Sequence, residues 1–264
     1  MLSFQNRNQV LVCGVARSGN TWLARLLGDA LNAPVTGAYN AIPLAQEGLD
    51  RTSDYVVRQL HLKPVIDDAA QCALISGWQF AINQWTTEQI IHIIRDPRDV
   101  AVSAYYYWQR PSVLNTIQAM IDGTLPFQGI GPWTSYVDAW LDIQLDRTYS
   151  DRINTIFYED LLHNTKSVLK DLLYILKAPR DIDLDSVIAR QALSTKRTQV
   201  KRDGDARPYG KAIQLHHLRK GIAGDWRDHF DRACIDLAYT HWQPYLLQFN
   251  YERDDDWTKN DLSS

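Results

Sequence analysis

The chain has 264 residues, 45% of them hydrophobic and 22% charged, and a formal net charge of -3. That length and balance suit a single α/β domain over residues 1–264 better than two small domains, and they supply no global field for nucleic acid or an anionic membrane. No segment holds the roughly 18 apolar residues that span a bilayer, and the start lacks a cationic stretch followed by a long apolar core, so a soluble, cytoplasmic protein with neither nucleic-acid nor membrane partner is expected.

Residues 10–22, VLVCGVARSGNTW, run from an apolar strand into a glycine turn that opens a helix. Gly14, Gly19 and Thr21 stand where a Walker A loop places its glycines and hydroxyl, so backbone N–H groups and a helix N-terminus make an anion cradle. The lysine that would reach the terminal phosphates of a nucleoside triphosphate is replaced by Asn20, and the cation lies ahead of the turn at Arg17. The charge is therefore arranged for something other than an ordinary triphosphate. Taken alone, the pattern also fits a plain strand-to-helix turn.

Trp22, Leu23, Leu26, Leu27, Ala30 and Leu31 share one helical face that stops before Pro34. Residues 34–54, with Gly37, Pro43 and Gly48, read as a loop or broken helix over one end of a sheet. Residues 55–62 read as a second strand and residues 90–94, IIHII, as a buried parallel strand. Arg95 ends that strand, Asp96 caps the next helix and Pro97 takes its first position. Trp133, Tyr136, Val137, Trp140, Leu141 and Leu145 then recur at helical spacing, and strand character returns over residues 153–158. A further helix presents Val168, Leu169, Leu172, Leu173 and Leu176, with Pro179 just beyond it. Strands alternating with helices predict an α/β fold: a mostly parallel central sheet flanked by helices, with ligands at the C-terminal strand ends. Residues 195–218 are basic and lose periodicity, which predicts a mobile loop, and from about residue 231 the chain reads as helical to Pro244. The three cysteines, Cys13, Cys72 and Cys234, lack metal-ligand spacing and suit a reducing compartment, so no metal is expected.

Three further segments are rich in groups that bind oxyanions: IIHIIRDPRDVAVSAYYYW from Ile90, IFYEDLL from Ile156 and LRKGIAGDWRDHF from Leu218. With ARSGNTW, and in this order along the chain, they resemble the sulfotransferases that use 3'-phosphoadenosine 5'-phosphosulfate (PAPS), the soluble cytosolic type in particular. The resemblance implies a P-loop-like fold and transfer of a sulfuryl group from PAPS to a hydroxyl of a small-molecule acceptor, releasing 3'-phosphoadenosine 5'-phosphate (PAP), with no metal. It places Arg17, where the family usually has lysine, on the 5'-phosphate and sulfonate. Ser18, Gly19, Asn20, Thr21 and Trp22 are implied to contact the donor, Trp22 near its adenine. Arg95 and Ser103 match the pair that binds the 3'-phosphate, Arg219, Lys220 and Gly221 the motif that closes on it, and Tyr158 a tyrosine near the adenine. The residue pair that covers the base, expected around Ser194, is not recognisable, and residues 195–218 would form a lid over the nucleotide.

The family's histidine base corresponds to His61 in HLKP, where Leu60 replaces a threonine and the lysine two residues earlier is missing. Arg58 or Lys63 is the candidate substitute for that cation. An arginine is always charged, so Arg17 is suited to stabilising charge in catalysis and not to protonating a leaving group. His92 competes with His61, but strand alternation points it to the face opposite Arg95, which marks a core histidine. Trp78, Trp85 and residues 105–108 read first as core and second as the lining of an apolar acceptor pocket. A homodimer is compatible with the resemblance, although the family's usual C-terminal dimer motif is not evident. Two other readings stay open: a P-loop kinase or nucleotidase using ATP and magnesium, with Asp96 as a metal carboxylate, and an inactive nucleotide-binding protein.

Overall fold

The computed structural model describes residues 7–37, 46–48, 50–67, 79–84, 89–124, 131–179, 181–203 and 218–259. Its axis is strand β1 (Asn8–Cys13), where Val10 lies between Val57 of β4 (Tyr55–Leu60) and Gln89 of β7 (Gln89–Ile94), parallel to both. Outward on one side come β2 (Val35–Gly37), parallel to β4, and the two-residue antiparallel edge β3 (Gln46–Glu47); on the other comes β8 (Ile153–Phe157), parallel to β7. The strand order is β3-β2-β4-β1-β7-β8. Two short parallel strands, β5 (Lys63–Val65) and β6 (Gln79–Ala81), pair apart from this sheet. The strand expected over residues 55–62 thus ends at Leu60, and the stretch expected as a loop between Pro34 and Asp54 contributes two short strands, β2 and the edge strand β3.

Alternation along the strands sorts the core into two layers. Val10, Val12, Ile91 and Ile93 face α1 (Asn20–Ala30), α5 (Tyr158–His163), α6 (Thr165–Ile175) and α7 (Leu184–Gln191). Leu11, Cys13, Ile90 and Ile94 face α2 (Pro97–Tyr107), α3 (Val113–Asp122), α4 (Trp133–Leu145) and the C-terminal helix α9 (Arg232–Gln248). Asp96 caps α2 by accepting from the Arg98 backbone, with Pro97 at the first helical position. His92 lies in the second layer, stacked on Trp140 with ring centroids 5.0 Å apart, as a core histidine does. Cys13 and Cys234 are free and buried.

Three expectations need correction. Helix α8 (Leu193–Asp203) occupies the first part of the stretch predicted to be a loop. Its sequence, LSTKRTQVKRD, has no glycine or proline and favours a helix, but only Val200 is buried, so no apolar periodicity shows. Second, α9 (Arg232–Gln248) runs through Pro244 instead of ending there. The proline removes one backbone hydrogen bond, yet Trp242 and Leu246 are both fully buried and hold the helix on either side of it. Third, Leu145 is 82% exposed at the last turn of α4 and belongs to no core face. Among the described residues no helix is long and apolar enough to cross a membrane.

Candidate functional site

The turn after β1 is built from close backbone approaches. A Cβ on Gly14 would lie 2.6 Å from both Asn20 Oδ1 and the Ile93 carbonyl, and one on Gly19 would lie 2.6 Å from the Tyr158 ring. Gly19 also has φ 96°, a left-handed conformation that caps α1 and that a side chain would strain. Asn20 explains why this loop carries no lysine: the side chain is buried, and its Nδ2 donates to the Val15 carbonyl at 2.8 Å, pinning the loop from inside. Arg17 has φ 76°, rare outside glycine, and its guanidinium stands 4.4 Å from the centre of the Tyr107 ring.

The β7–α2 junction meets this loop directly. Arg17 Nε donates to Ser103 Oγ at 3.2 Å, and Arg95 Nη1 donates to the Arg17 carbonyl at 3.0 Å. Arg95 Nη2 reaches the Ile222 carbonyl at 3.0 Å, and the same guanidinium lies 4.3 Å from the Tyr158 ring centre. The neighbouring Arg98 serves a different purpose. It is 1% exposed, bonded to Asp96 and Glu252 and held between the Trp226 and Trp257 rings at 4.0 and 4.7 Å. Asp96 is thereby committed to Arg98 and to capping α2, which leaves the kinase reading without its metal carboxylate.

The C-terminal segment is clamped by two buried carboxylates. Asp99 accepts from the backbone N–H of Gly224 at 2.7 Å and of Trp226 at 3.0 Å, fixing the GDW turn. Asp225 then pairs with Arg219 and, at 2.6 Å, with Lys220. Burial would raise the Asp225 carboxyl, but the Lys220 and Arg219 partners outweigh it and hold the group below the usual carboxylate range. Gly221, at φ 64°, turns the chain, and Arg197 of α8 donates to the Leu218 carbonyl at 2.7 Å and to that of Arg219.

His61 follows β4 and faces the same space. Its Nδ1 is 2.8 Å from the Gly14 carbonyl, which only accepts, so the proton sits on Nδ1. Nε2 is then the basic nitrogen, 3.3 Å from the Gln59 carboxamide nitrogen. Burial pulls the imidazole below its ordinary value; the Gly14 contact opposes this and the Arg17 charge adds to it. The ring is therefore neutral at neutral pH, the state a general base requires. Lys63, one candidate for the missing cation, instead donates to Ser135 on α4 at 2.6 Å.

These elements surround a cavity of about 350 Å³ at the C-terminal ends of the central strands. Arg17, Gly19, Asn20, Thr21, Trp22, His61, Arg95, Ser103, Tyr158, Arg219, Lys220 and Gly221 all line it, whereas Ser18 is buried and is not among the lining residues. Gln59, Arg25, Gln191, Leu193 and Lys196 line it too and were not singled out as site residues in the sequence. Leu193 stands one residue from the expected base-covering position and would contact a Cβ on Gly221 at 3.2 Å. Of the aromatic residues read as a second-choice acceptor lining, Tyr107 and Trp108 reach the cavity, while Trp78 and Trp85 lie outside the described residues. Nε of Arg95 and Nε of Arg219 are buried with no hydrogen-bond partner among the described residues.

The sequence matches the family described as the sulfotransferase domain over residues 7–249. Sulfotransferase 1E1 of Cavia porcellus is 25% identical over 271 residues, covering 92% of this chain and 85% of that protein. Sulfotransferase 1E1 of Homo sapiens is 24% identical, with 93% and 86% covered. Among solved structures, the mouse sulfotransferase SULT7A1 complexed with PAP aligns with TM-score 0.66 at 19% identity, over 92% of this chain and 88% of that one, a likeness of fold.

Proposed function

Because the chain belongs to the sulfotransferase domain family, we propose that it transfers the sulfuryl group of PAPS to a hydroxyl of a small-molecule acceptor and releases PAP. The observation that carries this reading is the meeting of Arg17, Arg95, Arg219 and Lys220 with a neutral His61 in one cavity. Four cations suit a ligand with phosphate groups at two ends. In the transfer, an acceptor oxygen forms a bond to sulfur while the bond from sulfur to the 5'-phosphate oxygen breaks. The acceptor's proton passes to His61 Nε2, and the electron pair stays on the departing phosphate. Arg17 and the backbone N–H groups at the start of α1 stabilise the charge that gathers there. Arg95, Ser103, Arg219 and Lys220 hold the 3'-phosphate and orient the donor.

Calorimetric titration with PAP, adenosine 5'-phosphate and ATP with magnesium tests the reading. Binding of PAP that depends on its 3'-phosphate is expected. A preference for ATP with magnesium would overturn it.

A further inference from the structure

Gln59, in β4, and His61, just beyond its end, lie two residues apart on one side of the chain, and both line the cavity. The Gly14 carbonyl takes the proton on His61 Nδ1, so the lone pair of the neutral ring lies at Nε2. The Gln59 carboxamide nitrogen is 3.3 Å from that atom. A lone pair only accepts, so the NH2 end of the carboxamide donates to it while the ring is neutral. The charged side chains that line the cavity are all cations: Arg17, Arg25, Arg95, Lys196, Arg219 and Lys220. Arg17, from the β1–α1 loop, acts directly against a positive ring, and Lys63 beyond β4 is turned to Ser135 of α4. Among the described residues no carboxylate lines the cavity, so an imidazolium there needs a neutral acceptor.

Nε2 has a single lone pair, so an acceptor hydroxyl that gives it a proton displaces the Gln59 NH2. Once the proton has arrived, Nε2 is a donor, and an NH2 returning to it would set donor against donor. A half-turn of the carboxamide about its Cγ–Cδ bond brings Oε1 to the same place instead. We propose that Gln59 is a positioning residue for His61 with two orientations: its NH2 donates to Nε2 of the neutral base, and its Oε1 accepts from Nε2–H of the protonated base after transfer. This rests on the reading of His61 as the base. The acceptor's proton ends on Nε2, Nδ1 keeps its own proton and its bond to Gly14, and no other proton moves. Gln59 occupies the position two residues before His61 at which the resemblance expects a lysine. A lysine there could only donate and would repel the imidazolium, whereas a carboxamide serves both states.

An NMR pH titration of the ligand-free protein tests this without an acceptor substrate. The His61 ring signal is assigned by its loss in His61→Asn, and the Gln59 side-chain NH2 signals by their loss in Gln59→Met. In the wild type the Gln59 NH2 signals should shift with the same midpoint as His61, which lies below 6.5. Gln59→Met fills the same space and removes both bonds. The bond to the charged ring is the stronger of the two, so the His61 midpoint should fall by about one pH unit. Gln59→Glu only accepts and should raise the midpoint. A Gln59 fixed as a donor would serve the neutral ring alone, and its removal would raise the midpoint. A rise or no change in Gln59→Met, no rise in Gln59→Glu, or NH2 signals that ignore the His61 midpoint would overturn the proposal; the wild-type signals decide it even if a variant does not fold. The base reading fails separately, through turnover that survives His61→Ala, and the catalytic role of Gln59 would then fall even where the titration behaved as expected.

Discussion

Ser103 Oγ accepts a hydrogen bond from Arg17 Nε at 3.2 Å, a direct bond between two residues that the proposed function assigns to opposite ends of the donor. The contact ties the β1–α1 loop to helix α2, reinforced by Arg95 on the Arg17 carbonyl. In the proposed site, Ser103→Ala removes both a contact to the 3'-phosphate and the hold on Arg17. PAP affinity is expected to fall about tenfold, the size of one hydrogen bond to a charged group, with a smaller loss for adenosine 5'-phosphate. Parallel calorimetric titrations measure both, and an unchanged PAP affinity would show that neither role is real.

His61 lines the cavity and is neutral, with its proton placed on Nδ1 by the Gly14 carbonyl and its basic nitrogen at Nε2. His61→Ala should lower turnover by about 10² to 10⁴, the usual share of a general base, and leave PAP affinity nearly unchanged. Burial and Arg17 lower the imidazole below its ordinary 6.5, so the active, unprotonated form persists somewhat below that pH. Turnover should therefore be flat near neutrality and fall on the acid side of pH 6.5. A profile of kcat against pH, with an acceptor found by screening, checks this; an acid limb centred above 6.5 would place the base elsewhere.

The sequence carried the sheet and the cavity wall because both rest on local patterns. Alternation in VLVC and IIHII sets which residues face which layer, and the glycine turn at Gly14 to Gly19 is a backbone requirement visible in the residues themselves. The resemblance to sulfotransferases then pointed to Arg95, Ser103 and Arg219, which no spacing rule would join. What stayed hidden depends on distant partners. Gln191 is a polar residue at the end of a short helix until Asp29, 162 residues away, fixes its carboxamide. Arg95 and Arg98 look alike in RDPRD, yet Trp226, Trp257 and Glu252 take Arg98 out of the site. Helix α8 carries no legible signal because a helix with a single buried residue, Val200, has no apolar stripe.

His92 gives a pH dependence of stability that is independent of catalysis. Burial against Trp140 pushes its imidazole down to about 3, while in the unfolded chain it titrates near 6.5. Below pH 6.5 the unfolded chain takes up a proton that the folded protein refuses, so stability is full above that pH and is lost as pH falls toward 3. The loss is at most about 1.4 kcal/mol per pH unit. His92→Phe keeps a flat ring on Trp140 and removes the proton site. Urea unfolding at pH 7 and pH 5 should show the wild type losing roughly 1 to 2 kcal/mol more than the variant, since the other groups titrate in both. Equal losses would mean that His92 charges in the folded protein.

Asp99 links the cation motif to the rest of the site. It is 1% exposed, takes the backbone N–H groups of Gly224 and Trp226, and has Arg95 Nη2 at 3.8 Å. In Asp99→Asn the carboxamide offers one oxygen where two N–H groups need acceptors, so one buried N–H is left facing an NH2 group. The cost is about 1 to 3 kcal/mol. It should fall on the turn that carries Asp225, and hence on Arg219 and Lys220, which Asp225 holds. A lower Tm, faster proteolysis between residues 218 and 224, and weaker PAP binding are expected together. A variant that lost stability yet bound PAP like the wild type would mean that the Asp225 pairs position Arg219 and Lys220 without the turn that presents them.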